Sequence, residues 1–187
     1  MAGVLLLWGA LAVWAYWPGE PEVPISQLAR AEDRFVRVEG LTLRYREWGY
    51  AAPDRPSLLL IHGFGNSLQS FRELAPRLAK SCHVIAIDMP GYGLSDKPVD
   101  HDYHNGPQAS VLVKAARALG LQRVVYVGHS LGGKVAMQLA MSEASRVKSL
   151  VVVDIAPVKY KDNNTNIINN LYDLSKSIIK DRKMADS

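Results

Sequence analysis

The chain has 187 residues, 48% of them hydrophobic and 21% charged, with a formal net charge of +4. That length suits one domain with a real core and is too short for two ordinary ones. The charge is dispersed, with no stripe of Lys and Arg and no interleaved aromatics, which argues against a nucleic-acid footprint. A single cysteine, Cys82, rules out a disulfide framework within the chain; ahead of an apolar run it reads as a small buried filler.

Residues 1–19 carry no charged side chain and hold Trp8, Trp14, Tyr16 and Trp17 among leucines and valines. About 17 helical residues at ~1.5 Å each reach roughly 26 Å, the low end for crossing a bilayer, and the aromatics suit a membrane–water interface. The expectation is an uncleaved anchor. A cleaved signal segment, giving a secreted or periplasmic protein, and an apolar helix packed on the domain are the alternatives, although the start lacks a basic side chain and Ala10-Leu11-Ala12 falls early for cleavage. Residues 20–33 read as a linker, with Pro18, Pro21 and Pro24 keeping the chain extended.

From residue 34 the pattern is that of an α/β domain running to 157. Phe35–Glu39 and Thr42–Trp48 alternate apolar and polar residues around Gly40, which predicts a hairpin with one buried and one wet face. Ser57–Ile61, Val84–Ile87, Val124–Val127 and Leu150–Val153 are short continuous apolar runs, the mark of strands buried on both faces of a parallel sheet. Helical stripes separate them: Leu68, Phe71, Leu74 and Leu78, with Pro76 as a kink or early end; Leu112, Val113, Ala116 and Leu119 after Pro107; and Gly133–Ala144. The predicted architecture is a three-layer α/β/α sandwich, its sheet mostly parallel with an N-terminal antiparallel hairpin. Residues 158–187 shift to Lys and Asn (163, 164, 166, 169, 170), yet Ile167, Ile168, Leu171, Leu174, Ile178 and Ile179 still make one helical face.

Gly128-His129-Ser130-Leu131-Gly132 lies between an apolar run and a helical stripe, the context that a nucleophile elbow requires. A nucleophile on a sharp strand-to-helix turn leaves no room for side chains two positions to either side, and the helix N-terminus aims free N–H groups at the reacting oxygen. Ser130 is therefore the candidate nucleophile. His129, its neighbour on a tight turn, points away and reads as structural. Ile61-His62-Gly63-Phe64 ends another apolar run, and an oxyanion hole takes one N–H after the nucleophile and one from such a loop: Leu131 and Phe64. Phe64 also suits an acyl-pocket wall, and His62 reads as a loop brace more than as a base. In Asp88-Met89-Pro90-Gly91-Tyr92-Gly93-Leu94-Ser95-Asp96, Asp88 reads as a turn-forming acceptor.

Taken in series, HGFGNS, DMPGYGLSD, GHSLGG and DIAP resemble the α/β-hydrolase superfamily in its lipase/esterase-like branch, over roughly residues 35–158. The resemblance implies an eight-stranded, mostly parallel sheet with a helical cap after the sixth strand, so that 158–187 would begin the cap. It implies Ser130 as nucleophile, Phe64 and Leu131 as oxyanion donors, and hydrolysis of a small acyl ester or thioester with no cofactor and no metal. Asp154, closing the run Leu150–Val153, matches the acid position of some branches and otherwise lines the pocket; DIAPV is similar to small bacterial and mitochondrial esterases of this group.

The family order is Ser, acid, His. Here His62, His83, His101, His104 and His129 all precede Ser130. His83 falls at the wrong end of the sheet, and His101 and His104 fall in a loop expected to be exposed. The sequence therefore reads as an incomplete form of the fold lacking its last strands, a fragment of a longer hydrolase. A catalytically inactive binding module and a histidine supplied in trans are the alternatives.

Overall fold

In the computed structural model, residues 23–52 and 54–156 are described. The N-terminal hydrophobic segment, 1–19, and the amphipathic stretch after residue 158 lie outside the described residues. Among the described residues no helix is long and apolar enough to cross a membrane. The chain divides after Ile155 into two units, of which the second is described only at Ala156.

The sheet is built around β3 (Ser57–Ile61) and β4 (His83–Ile87), the two most apolar runs, and both are buried almost throughout. Six strands follow the order β1-β2-β4-β3-β5-β6. β1 (Arg34–Val38) and β2 (Leu41–Trp48) form the expected antiparallel hairpin, and β2 runs antiparallel to β4. The β4–β3, β3–β5 and β5–β6 pairings are parallel, with β5 at Val124–His129 and β6 at Val147–Val153. The hairpin closes through Glu39 and Gly40 at φ 50° and 85°. Two successive positive φ values give the turn whose twist matches the strands, and glycine accepts the wider angle freely.

Side chains alternate across the sheet, giving two cores. Leu59, Ile61, Ile85 and Ile87 pack with Leu112, Ala115 and Ala116 of α3 (Asn105–Ala118) and with Val135, Ala136 and Leu139 of α4 (Leu131–Ser142). Leu60, Val84 and Ala86 pack with Leu68 and Phe71 of a 3-10 turn (Leu68–Phe71) and with Ala75 of α2 (Leu74–Leu78). The result is the three-layer sandwich. β6 is paired on one side only among the described residues and is largely exposed, with Leu150, Val151 and Val153 open to solvent.

Several local expectations are corrected. The stripe Leu68–Leu78 is two short pieces, because Ser67 caps a 3-10 turn through its own hydroxyl and Pro76 leaves α2 only five residues. The 20–33 stretch is not extended throughout: Ile25–Leu28 makes one helical turn, α1, and Asp33 is tied to the sheet. The polar face of the hairpin is wet along β1, where Arg37 is exposed, but not along β2. Arg44 and Arg46 are about 5% exposed. Arg46 Nε donates to Asp33 Oδ1 at 2.5 Å, and Arg44 lies between Asp33 and Asp88. A guanidinium keeps its charge when buried, so its burial requires such partners.

Candidate active site

The three motif loops leave the C-terminal ends of β3, β4 and β5 and meet there. Ser130 sits between β5 and α4 at φ 51°, ψ −120°, outside the regions that side-chain-bearing residues ordinarily occupy. Its N–H donates to Val153 O at 2.9 Å, and its carbonyl accepts from Gly133 N–H at 2.9 Å. The flanking glycines are explained by space alone. A Cβ on Gly128 would stand 2.3 Å from Gly132 O, and one on Gly132 would stand 2.3 Å from Ile61 O. A Cβ on Gly63 would stand 3.2 Å from Ser130 Cβ and 3.1 Å from His129 Nδ1, so the HGF loop rests directly on the elbow.

The N–H groups of Phe64 and Leu131 donate to no described residue. Leu131 opens α4, where the first N–H groups have no intrahelical acceptor and the helix dipole is positive. The Phe64 ring is exposed and meets Tyr92 edge-on at 6.2 Å, while Tyr92 meets His62 at 5.2 Å. Tyr92, at the centre of the DMPGYG loop, thus joins that loop to the HGF loop; the sequence showed it only as a turn residue. Burial, with Tyr103 nearby, pushes the Tyr92 phenol above 10.0.

His62 is fully buried. Met89 N–H donates to its Nε2 at 3.1 Å, so Nδ1 carries the proton and donates to Gly63 O at 2.8 Å. Burial depresses its pKa below 6.5. Both ring nitrogens are occupied by backbone, which makes it a brace between the β3 and β4 loops and unfits it as a base.

Asp88 is likewise a brace. Fully buried, it accepts from Leu68 N–H at 2.7 Å and Leu94 N–H at 2.8 Å, and pairs with Arg44 through Nε at 2.8 Å and a terminal nitrogen at 2.7 Å. Gly93 is obligatory beside it, since a Cβ there would lie 1.8 Å from Asp88 Oδ2.

Asp154 follows β6 at φ 59°, its side chain 81% exposed and its Oδ2 3.8 Å from His129 Nε2. No described histidine is hydrogen-bonded to Ser130 Oγ. His83 is buried at the opposite end of the sheet, at the start of β4. His104 is exposed and bonded to Asp102, whose carboxyl is held below 3.8 by the His104 N–H and ring. His101, in contrast to the expected exposure, is half-buried against Tyr103, with its Nε2 enclosed and unpartnered. Among the described residues no cluster of His, Cys, Asp and Glu is placed to hold a metal ion.

Residues 56–182 match the family model of the alpha/beta hydrolase fold. The chain is 41% identical over 130 residues to a fluoroacetate dehalogenase of Burkholderia sp, covering 67% of this chain and 41% of that protein. It is 36% identical over 103 residues to Esterase YbfF of Escherichia coli (strain K12), covering 55% of this chain and 40% of that one. Among solved structures it is similar to a bacterial membrane phospholipase A, with a TM-score of 0.66 and 31% identity, covering 90% of this chain and 56% of the other. The chain spans about two fifths of the length of these curated relatives.

Proposed function

Starting from the chain's membership of the α/β-hydrolase fold family, we propose that it carries the nucleophile half of a serine hydrolase that cleaves carboxylic esters or thioesters through an acyl-enzyme on Ser130. One observation carries this reading: Ser130 stands at φ 51° on a strand-to-helix turn, with the Gly63 loop packed on it. A hydroxyl in that position attacks an acyl carbon, and the N–H groups of Leu131 and Phe64 receive the charge that develops on the carbonyl oxygen. Each such donor contributes about 10²–10³-fold to the rate. The exposed Phe64 ring forms a wall of the acyl pocket. Asp154 orients a histidine that takes the Ser130 proton and returns it to the leaving group; that histidine is not one of the five in these residues. Residues 1–19 hold the domain at a membrane.

The lack of any described histidine on Ser130 Oγ favours a second reading, a catalytically inactive module that binds ligands in the same cleft. Chemical rescue separates the two. The chain is treated with a fluorophosphonate probe with and without added imidazole, and Ser130 adducts are quantified by peptide mass. An activatable nucleophile gives labelling that rises in proportion to imidazole and disappears in Ser130→Ala. A folded chain that shows no Ser130 adduct at any imidazole concentration rejects the hydrolase reading and leaves the binding module.

A further inference from the structure

At the opposite end of the sheet, a cavity of about 420 Å³ opens between the starts of β3 and β4 and the segment joining α3 to β5. Its lining includes Glu47, Arg55, Ser57, His83, Leu121 and Arg123. That volume lies in the range of small-molecule sites. Ser57 and His83 are register partners on adjacent parallel strands, which sets their side chains beside each other.

Three of these groups form a continuous relay. Ser57 Oγ lies 2.7 Å from His83 Nδ1, and His83 Nε2 lies 2.8 Å from Glu47 Oε1. The carboxylate can only accept, so Nε2 carries the imidazole proton and Nδ1 is left to accept from the Ser57 hydroxyl. His83 is 4% exposed and Ser57 is 7% exposed. Glu47 is itself held by Arg34 on its other oxygen, and Ser57 N–H is fixed on Arg123 O at 2.9 Å. The order hydroxyl, imidazole, carboxylate is the arrangement that activates a serine, recognised by connectivity and not by chain position. A purely structural relay has no need to face a cavity; this one faces a cavity whose lining also includes two cationic residues, Arg123 and Arg55, the latter 3.8 Å from Asp54.

We propose that Ser57, His83 and Glu47 form a second reactive serine centre, independent of Ser130, acting on small carboxylic esters that carry an anionic group. Arg55 and Arg123 pair with the anion, and Leu121 packs on the apolar body. Ser57 Oγ forms a bond to the acyl carbon as its proton passes to His83 Nδ1. That proton moves to the departing alkoxide oxygen as the ester C–O bond breaks. Water, deprotonated by the same nitrogen, then releases the acyl group as a carboxylate and restores the serine.

Trypsin places the two serines on different peptides, 47–72 and 124–134. The full 187-residue chain carrying Ser130→Ala is treated with a fluorophosphonate probe without imidazole. The expected result is an adduct on Ser57 that is absent in the Ser57→Ala, Ser130→Ala double variant. In Glu47→Gln, which keeps an acceptor for His83 Nε2 but loses the charge, labelling slows roughly 100-fold, the scale of general-base assistance. Each variant is checked by its thermal melt. A folded chain with no adduct on Ser57, or with an adduct forming equally fast in Glu47→Gln, overturns the proposal. Neither result bears on the imidazole-dependent labelling of Ser130.

Discussion

Replacing Asp88 with Asn tests whether this carboxylate holds the loops of the candidate site. The substitution preserves volume and removes only charge and one acceptor. Asp88 receives four donors, two from backbone at Leu68 and Leu94 and two from Arg44. An amide has one acceptor oxygen, so its NH₂ must face either the Leu68 N–H or the cluster of Leu94 and Arg44. Turning the NH₂ toward Leu68 is the milder choice: it orphans one buried N–H, at about 1–3 kcal/mol. It also leaves Arg44, about 5% exposed, with Asp33 at 3.5 Å as its remaining anion. Breaking a buried pair from one side costs about 3–5 kcal/mol, and since the two penalties overlap, that range is the expected loss. A domain of this size has about 5–15 kcal/mol in all. Urea unfolding followed by circular dichroism measures the loss. Adding Arg44→Met should restore part of it, because the uncompensated cation is removed with its partner. A loss under about 1 kcal/mol, or a double variant no better than the sum of the singles, would refute the assignment of Asp88 as an anchor.

Three further outcomes are expected. Gly132→Ala places a Cβ 2.3 Å from the Ile61 carbonyl, so it should destabilise far more than Gly40→Ala, where nothing lies within 4 Å and only the left-handed φ opposes the change; the second should cost about 1–2 kcal/mol by chemical denaturation. Leu112→Ala, at a fully buried position between the sheet and α3, should cost about 2–5 kcal/mol in the same assay. Burial tends to raise the pKa of Asp33, but the Arg46 bond, the Arg30 N–H and the charges of Arg44 and Arg46 outweigh it and hold the carboxyl below 3.8. A depressed folded-state pKa gives stability that is complete above 3.8 and lost as the pH falls through the lower folded value. Asp33→Asn should therefore flatten the acid side of the stability–pH curve, as followed by melting temperature.

The strands were legible because their burial is written in their composition: four uninterrupted apolar runs became four strands of a mostly parallel sheet. Boundaries were less so. β6 begins at Val147, three residues before its apolar run, because Val147 and Ser149 pair with Val124 and Val125 of β5 across an irregularity at Lys148. α4 begins at Leu131, just ahead of a glycine pair that propensity alone would keep out of a helix; close packing of Gly132 on Ile61 and His62, and of Gly133 on Val152 and Ile155, demands those glycines. Loops that converge on Ser130 could be placed because glycine spacing records steric demand. The Arg44–Asp88 pair and the Ser57–His83–Glu47 relay could not. Each joins residues through strand register, and a one-residue slip would separate them, while nothing local in the sequence states the register.

The doubly occupied ring of His62 has a consequence for how titration data on this protein are assigned. An imidazole whose two nitrogens are already committed to Gly63 and Met89 gains a proton only by rupturing the second of these contacts, within a space closed to water. Its signals should hold a single tautomer in nitrogen-detected magnetic resonance across neutral pH, with the Nδ1 proton slow to exchange. The residue drops out as a source of any inflection above pH 6.5 in binding or turnover.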